Sequence, residues 1–286
     1  MAYLLSITVL WAFSFSLIGV YLAGQVDAWF AAWSRILLAT LVFLPLLKWR
    51  ALPIALSSQL MLIGGVQIGL MYGFYYHAFL YLSVPEVLLM TVMTPVYITL
   101  LNDFLNRSFD WRYLLVAVLA VLGAVAIRFE GLNIQYWLGV LLVQGANLCF
   151  AFGQVMYKRL DKHITISHSQ RFGWFFIGAL LVSSVSLAIF ADFNKLPQTQ
   201  LQWGILAYLG LVASGVGYLA WNKGATLVSV GTLAVMNNLL IPVGILVNIL
   251  IWHKPSDPLK LTLGSAVILA ALWLDQYLNQ KRAPSK

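Results

Sequence analysis

The stretch YGFYYHAFLYLSVPEVLLMTVMTPVYITLLN, residues 72–102, decides the fold of this chain. It has a faint second copy in YLAWNKGATLVSVGTLAVMNNLLIPVGILVN, residues 218–248. Each copy reads as an apolar helix, a very short turn, and a second apolar helix with a proline in mid-span. When Ser83 is aligned with Ser229, Pro95 and Pro242 fall within one residue of each other. The chain is therefore interpreted as two halves built to one plan.

The composition is that of an integral membrane protein. Of the 286 residues, 62% are hydrophobic and 9% are charged, with a mean hydropathy of +0.88, whereas a soluble domain carries about 25% charged residues. The first apolar run lacks the basic segment and the cleavage site of a secretory signal, so we expect it to remain as a span. The single Cys149 lies in an apolar run, which argues against a disulfide or a thiolate metal site. No cofactor, no metal and no nucleic-acid partner are expected.

Ten apolar stretches of about 20 residues are long enough to cross a ~30 Å hydrocarbon core. We expect an all-α membrane protein without a soluble domain, with spans at residues 2–22, 28–48, 59–81, 84–105, 111–128, 134–157, 170–191, 201–222, 229–252 and 259–279.

Loop charges predict the orientation. The loops on the side of the N-terminus hold eleven basic residues, namely Lys48, Arg50, Arg107, Arg112, Lys158, Arg159, Lys162, Lys223, Lys281, Arg282 and Lys286. The opposite loops hold four, Arg128, Lys195, Lys254 and Lys260. The positive-inside rule then places both termini in the cytoplasm, and the same rule explains the net charge of +8 without nucleic acid.

The repeat predicts where a small molecule would bind. A first unit of five spans covers residues 1–131 and a second covers residues 132–286, with the join near Gly131, Leu132 and Asn133. Because each unit has an odd number of spans, the second unit is inverted relative to the first. Inverted repeats of this kind place a substrate cavity near the midplane, between the units. The topology therefore indicates a transporter without naming its substrate.

Several short stretches carry a family resemblance. They are LWAFSFS (10–16), MTPVYITL (93–100), LLVQ (141–144), YKRL (157–160), PQTQLQWGIL (197–206) and GTLAVMNN (231–238). Together with the doubled plan, they resemble the drug/metabolite transporter superfamily in its ten-helix EamA-type form, and within it the bacterial biotin transporters. The resemblance implies biotin uptake across the bacterial inner membrane, with spans one, three, four, six, eight and nine around a central cavity.

Candidate ligands for a substrate occur in the first three spans. Trp11 lies about 13 Å into span one, too deep for an interfacial belt, and Phe15 shares its face. Arg35 lies about 10 Å into span two, where a charge is costly and suggests function; it could pair with a substrate carboxylate, or cap a neighbouring helix or extend to the membrane surface. Tyr72 and Tyr76 share a face of span three and offer aromatic walls with hydroxyl donors.

Candidate polar ligands continue in the later spans. Tyr97 follows the proline of span four, and span six carries a polar stripe of Gln144, Asn147, Ala151 and Gln154. Span nine holds Asn237 and Asn238, whose amides suit a ureido group. We expect Gln144, Asn147 and at least one asparagine to line the cavity; the alternative is hydrogen bonding between helices. Pro95 and Pro242 are expected to act as hinges.

The residues leave the substrate open. Biotin would be served by these amides, by Trp11, Phe15 and Tyr97, and by Arg35, but amino acids, amines or other carboxylates, imported or exported, remain alternatives, as does a lipid flippase. The spans lack the deep aspartate pairs or HExxH pattern of an intramembrane enzyme, so catalysis is not expected. His77, Glu86 and Asp103 are peripheral, which favours facilitated diffusion over proton coupling. We expect a monomer in the lipid bilayer.

Overall fold

A computed structural model describes residues 1–128, 137–253 and 258–280 of the chain. Within these ranges the secondary structure is entirely helical. The helices are α1 (Ala2–Leu22), α2 (Ala28–Leu46), α3 (Ile54–Ala78), α4 (84–106), α5 (Trp111–Arg128), α6 (Trp137–Asp161), α7 (His168–Phe190), α8 (Gln200–Thr226), α9 (Val230–Trp252) and α10 (Pro258–Gln280). The predicted boundary at 131/132, with Gly131, Leu132 and Asn133, lies outside the described residues, as do Lys254, Lys281, Arg282 and Lys286.

Eight of these helices are long and apolar enough to cross a membrane by length and composition. α5 and α10 also contain apolar stretches, at Leu114–Gly123 and Thr262–Asp275. The described part of the chain therefore agrees with the predicted all-α membrane protein.

The third helix begins earlier than its predicted start at residue 59. It starts at Ile54, directly after Pro53, a residue whose missing N–H is tolerated at a helix start. The serines that follow are accommodated because their hydroxyls donate to carbonyls of the preceding turn, Ser57 Oγ to the Ile54 oxygen at 3.0 Å and Ser58 Oγ to the Ala55 oxygen at 3.0 Å. Such local bonds let polar side chains lie in an apolar helix.

Several helices are interrupted near their middle. α3 contains the π-helical segment Gly65–Leu70, and α8 contains a longer one, Tyr208–Val216. α4 tightens into a 3₁₀ turn at Thr91–Met93, immediately before the Thr94-Pro95 step. In α9 the α-helix ends at Asn238 and resumes at Leu240, ahead of Pro242. Proline has no N–H to donate, which accounts for the breaks in α4 and α9.

The helices pack across the two halves of the chain. α2 packs against α7 and α8, α3 against α6 and α7, and α1 against α8 and α9. α4 packs against α6 and α9, and α5 packs against α10. The contacts between halves thus form the centre of the bundle.

Two glycines allow the closest approach, between α3 and α7. A Cβ atom at Gly64 would lie 1.8 Å from the carbonyl oxygen of Phe175, and one at Gly178 would lie 1.9 Å from that of Met61. Neither position can hold a side chain unless a backbone moves. Small residues let membrane helices pack backbone to backbone in this way.

Contacts between helix ends show which loops lie on the same side of the bundle. On one side, Lys158 Nζ donates to the carbonyls of Ala225 and Val228 at 2.8 and 2.5 Å, closing the end of α8 against the end of α6. On the other side, Asp27 caps α2 through the Phe30 N–H at 2.8 Å and accepts from the backbone of Asp192 at 3.1 Å. The chain therefore crosses between two opposed ends of the bundle.

Candidate functional site

A cavity lies between α1, α2, α3, α4, α6, α8 and α9. Its volume is about 640 Å³ when the open space at its mouth is included. Its wall is mostly aromatic and aliphatic, with a few polar side chains. Six of the ten side chains predicted to bind substrate line it: Trp11, Phe15, Arg35, Tyr72, Tyr76 and Asn237.

Arg35 on α2 is the cation of this wall. The side chain is only 4% exposed. Its Nε donates to Ser214 Oγ at 3.1 Å, its Nη1 to the Tyr76 hydroxyl at 3.2 Å and its Nη2 to the Tyr72 hydroxyl at 2.9 Å. A guanidinium carries five N–H donors, so these bonds leave donor capacity for a ligand. The neighbouring helices α3 and α8 therefore fix Arg35 in place.

The charge of Arg35 has aromatic rather than acidic neighbours. Its guanidinium carbon lies 4.2 Å from the centroid of the Tyr72 ring and 5.8 Å from that of Tyr76, within the range of cation–π attraction. In the described ranges, the ion pairs do not involve Arg35, and the cavity wall holds neither Asp nor Glu. A buried guanidinium in this setting suits an anionic group, and a carboxylate can accept two parallel bonds from it.

A cluster of aromatic rings around Trp11 contributes another part of the wall. The Trp11 ring lies 5.7 Å from that of Phe150, 4.9 Å from that of Tyr218 and 4.8 Å from that of Trp221, measured between centroids. Trp11 Nε1 donates to the carbonyl of Ala213 at 2.9 Å, inside the π-helical segment of α8. The indole is thus held in one orientation and presents a rigid apolar surface. Such a surface suits a ring or an aliphatic chain.

Asn237 on α9 brings a carboxamide to the cavity. Its Nδ2 donates to Gln154 Oε1 at 3.2 Å, and its Oδ1 accepts from Gln154 Nε2 at 3.3 Å. Nδ2 also donates to the carbonyl of Leu233 at 2.7 Å. Gln154 Oε1 accepts a further bond from Trp221 Nε1 at 3.1 Å. The two amides therefore form a reciprocal pair between α6 and α9.

Four predicted ligands lie outside the cavity wall, beside the interruption of α4. Gln144 Nε2 and Asn147 Nδ2 donate to the carbonyl of Met90 at 3.2 and 2.8 Å. The Tyr97 hydroxyl donates to Gln144 Oε1 at 3.0 Å, and Asn238 Nδ2 donates to the carbonyl of Val92 at 3.3 Å. In this structure these side chains make the hydrogen bonds between helices that the sequence left as the alternative.

The acidic side chains of the described spans bind polar groups near helix ends. Glu86 accepts from the backbone and hydroxyl of Ser83 at 2.7 Å. Asp103 accepts from the backbone of Asp110 at 3.0 Å. Asp275 accepts from Ser229 Oγ at 2.8 Å, at the start of α9. No group of three or more His, Cys, Asp or Glu side chains is placed to hold a metal ion in the described part of the chain.

Several wall residues were not among the predicted ligands. They include Ser14, Met71, Tyr75, Thr91, Phe150 and Tyr218. A signal existed for one of them, because the alignment of the two copies pairs Tyr72 with Tyr218. Arg35 also adds α2 to the wall, a helix outside the set implied by the family resemblance.

Comparisons with known proteins agree with this architecture. The model of the EamA-like transporter family matches residues 1–129 and again 137–274. The chain is 52% identical over 278 residues to a probable biotin transporter of Pseudomonas aeruginosa, covering 96% of this chain and 97% of that protein. It is 50% identical to a biotin transporter of Salmonella typhimurium and 49% identical to one of Escherichia coli K12, in each case over 96% of this chain and 92% of the relative.

A solved crystal structure shares the fold. It superposes with a TM-score of 0.76 over 97% of each chain, at 16% sequence identity. The family assignment accounts for the membrane helices, and it confirms the prediction of a transporter rather than an enzyme. The chain belongs to the EamA-like transporter family.

Proposed function

We propose that this protein imports biotin across the bacterial inner membrane by alternating access, with the vitamin bound in the cavity around Arg35. Biotin combines a carboxylate, an aliphatic chain and a cyclic urea fused to a thiophane ring. The cavity offers one cation, a rigid aromatic surface and one carboxamide. The relatives described above as biotin transporters support the same substrate.

The observation that carries the proposal is the buried Arg35, for which the described residues provide no acidic partner. The guanidinium would hold the carboxylate by two charge-assisted bonds, leaving its contacts to Tyr72 and Tyr76 in place. A carboxylate at this point gains attraction at low dielectric, where charge pairs are stronger than in water.

The main alternative substrate, an amino acid, fits this cavity less well. An amino acid carries an ammonium group beside its carboxylate, and an ammonium group in a buried site usually requires an acidic partner. The described cavity wall provides neither Asp nor Glu. Biotin has no cationic group, so it needs only the one charge that the wall provides.

We further propose that α1–α5 and α6–α10 form two inverted repeats. If the two units are equivalent, each helix of one unit has a counterpart five places away in the chain. The contact of α1 with α9 then corresponds to the contact of α6 with α4, and both are present. In the same way, the contact of α3 with α7 corresponds to that of α8 with α2, and the contact of α3 with α6 corresponds to that of α8 with α1. The paired helix ends agree as well, since Arg107 and His253 both end their helices in a left-handed conformation.

The orientation proposed for the chain places both termini in the cytoplasm. The end of the bundle that contains Lys48, Lys158 and Arg159 is the more basic one, as the positive-inside rule requires for a cytoplasmic side. Asp27 and Asp192 then lie on the periplasmic side. The cavity would be reached from either side as the two repeats rock against each other, with α4 and α9 bending near Pro95 and Pro242.

Transport is proposed to be facilitated diffusion by a monomer. The cavity is built within one chain, and the acidic groups described above lie near helix ends rather than at the cavity. Intracellular consumption of the vitamin would maintain the gradient.

Uptake of radiolabelled biotin at nanomolar concentration tests the proposal, in cells that lack their own biotin carrier. We expect saturable uptake that unlabelled biotin blocks and that amino acids leave unchanged, and little uptake by the Arg35→Gln variant. A competing amino acid that abolishes uptake, or the absence of uptake by a protein shown to reach the membrane, would contradict biotin as the substrate.

A further inference from the structure

The Gln154–Asn237 pair differs from the other buried amides because one of its members faces the cavity. Asn237 lines the cavity, whereas Gln154 is fully buried and is not part of the wall. The carboxamide of Gln154 presents one donor and one acceptor to the donor and acceptor of Asn237. The polar edge that Asn237 could offer to a ligand is therefore already occupied by another part of the protein.

A cyclic urea presents the same edge as a carboxamide. In a five-membered cyclic urea, the N–H and the carbonyl oxygen point to the same side, so a donor lies next to an acceptor. This is the arrangement by which Gln154 bonds to Asn237. A ureido group that reached Asn237 would therefore replace Gln154 bond for bond.

The two hydrogen bonds of the existing pair are long. Its two bonds measure 3.2 and 3.3 Å, longer than the usual 2.9–3.0 Å for N–H···O bonds. Asn237 would remain oriented during the exchange, because Nδ2 keeps its 2.7 Å bond to the Leu233 carbonyl. Gln154 Oε1 would keep its bond from Trp221 Nε1.

We infer that Gln154 is an internal competitor of the substrate: the ureido group of the transported molecule takes its place on Asn237. The inference rests on the proposed function, since it requires a substrate with a urea. It gives the site a means of selecting its substrate, because a carboxylate without a urea does not displace Gln154 and gains no hydrogen bonds to Asn237. Binding of the substrate would also change the helix packing, since it removes the Gln154–Asn237 contact between α6 and α9.

Binding by the full-length protein in lipid nanodiscs tests this inference, with three carboxylates as probes. Biotin and desthiobiotin contain the cyclic urea, and lipoic acid does not. In Gln154→Met the internal competitor is gone, so we expect the Kd of biotin and desthiobiotin to fall by about three- to tenfold, the effect of one net hydrogen bond. The Kd of lipoic acid should stay unchanged.

A matched control is available on α3. Gln67 is also fully buried and bonds to another amide, with its Nε2 3.3 Å from Asn222 Oδ1, but it does not line the cavity. Gln67→Met should therefore leave the ratio of the biotin and lipoic acid Kd values as in the wild type. Trp221→Phe, which removes the donor to Gln154 Oε1 and keeps a ring, serves as a second variant. Trp221→Phe should hold Gln154 less firmly. It should therefore lower the ratio of the biotin Kd to the lipoic acid Kd, as Gln154→Met does, but by a smaller factor.

Two outcomes would overturn the inference. One is weaker binding of biotin by Gln154→Met while lipoic acid binds as before, which would make Gln154 a direct ligand. The other is an equal change for all three probes, which would make its role structural. The failure of the proposed function is distinguishable, because it would appear as a wild-type protein that does not bind biotin.

Discussion

Arg35 lies over the ring of Tyr72, with the guanidinium carbon 4.2 Å from the ring centroid, and its Nη2 donates to the hydroxyl of the same tyrosine at 2.9 Å. That hydroxyl is also 2.7 Å from Ser214 Oγ. One residue of α3 and one of α8 therefore hold the cation of α2 in a fixed position. A charged group preorganised in this way loses little freedom when a ligand binds.

Removal of the Tyr72 hydroxyl should weaken substrate binding without abolishing it. In Tyr72→Phe the ring beneath the guanidinium remains, while the acceptor for Nη2 and the bond to Ser214 are lost. We expect the Kd of biotin to rise by about three- to tenfold, as for one hydrogen bond. Titration of purified protein would measure it. Tyr21→Phe, at the end of α1 and outside the cavity wall, is the control, and an equal loss there would show that the effect is not local.

The contact between α3 and α7 should tolerate no side chain at Gly64. A Cβ there would lie 1.8 Å from the Phe175 oxygen, so Gly64→Ala forces the helices apart, at a cost of about 1–3 kcal/mol. A fall in the thermal midpoint in detergent would measure it. Gly204 has no atom within 4 Å of an added Cβ, so Gly204→Ala should keep or raise the midpoint, since glycine within a helix costs about 0.5–1 kcal/mol relative to alanine. Equal midpoints for the two variants would contradict the packing argument.

Replacement of Pro95 should slow transport more than it weakens binding. Pro95→Ala restores an N–H after the 3₁₀ turn Thr91–Met93 and favours a continuous helix, which would resist bending. We expect the maximal rate of biotin uptake by proteoliposomes to fall by about threefold or more and the Kd to change by less than about twofold. Pro53→Ala, at the start of α3, is the control. An unchanged maximal rate would make Pro95 a packing feature only.

Collapse of the proton gradient should leave the initial rate of biotin uptake unchanged. Glu86, Asp103 and Asp275 are bonded near helix ends, and the described cavity wall contains no acidic side chain that could carry a proton with the substrate. Proteoliposomes with and without an imposed proton gradient would measure the rate. Accumulation above the external biotin concentration only when the gradient is present would contradict facilitated diffusion.

The interrupted helices and the buried charge of Arg35 were visible in the sequence for clear physical reasons. A proline in the interior of a helix removes a backbone hydrogen bond, so Pro95 and Pro242 marked the interruptions of α4 and α9. Arg35 was conspicuous because a charge inside an apolar span is costly.

The direction in which each helix faces was much harder to predict. A membrane helix is apolar toward lipid and toward its neighbours alike, so periodicity does not separate the two faces. Gln144 and Gln154 lie on the same stripe, yet Gln144 bonds to the carbonyl of Met90 and Gln154 bonds to Asn237 at the cavity. The π-helical segments Gly65–Leu70 and Tyr208–Val216 turn the residues that follow them to a different face than a continuous α-helix would. In the sequence, no turn residue predicts such a segment.

The preference for an acid over its amide tests the role of Arg35 most directly. Wild-type protein should bind biotin about 10- to 100-fold more tightly than biotin amide, because a charge-assisted pair contributes about 1.5–3 kcal/mol. Arg35→Gln should bind both with similar Kd values, and Arg35→Lys should show an intermediate preference, since it keeps the charge and loses the planar fork. An Arg35→Gln protein that still prefers the acid as strongly as the wild type would contradict the account.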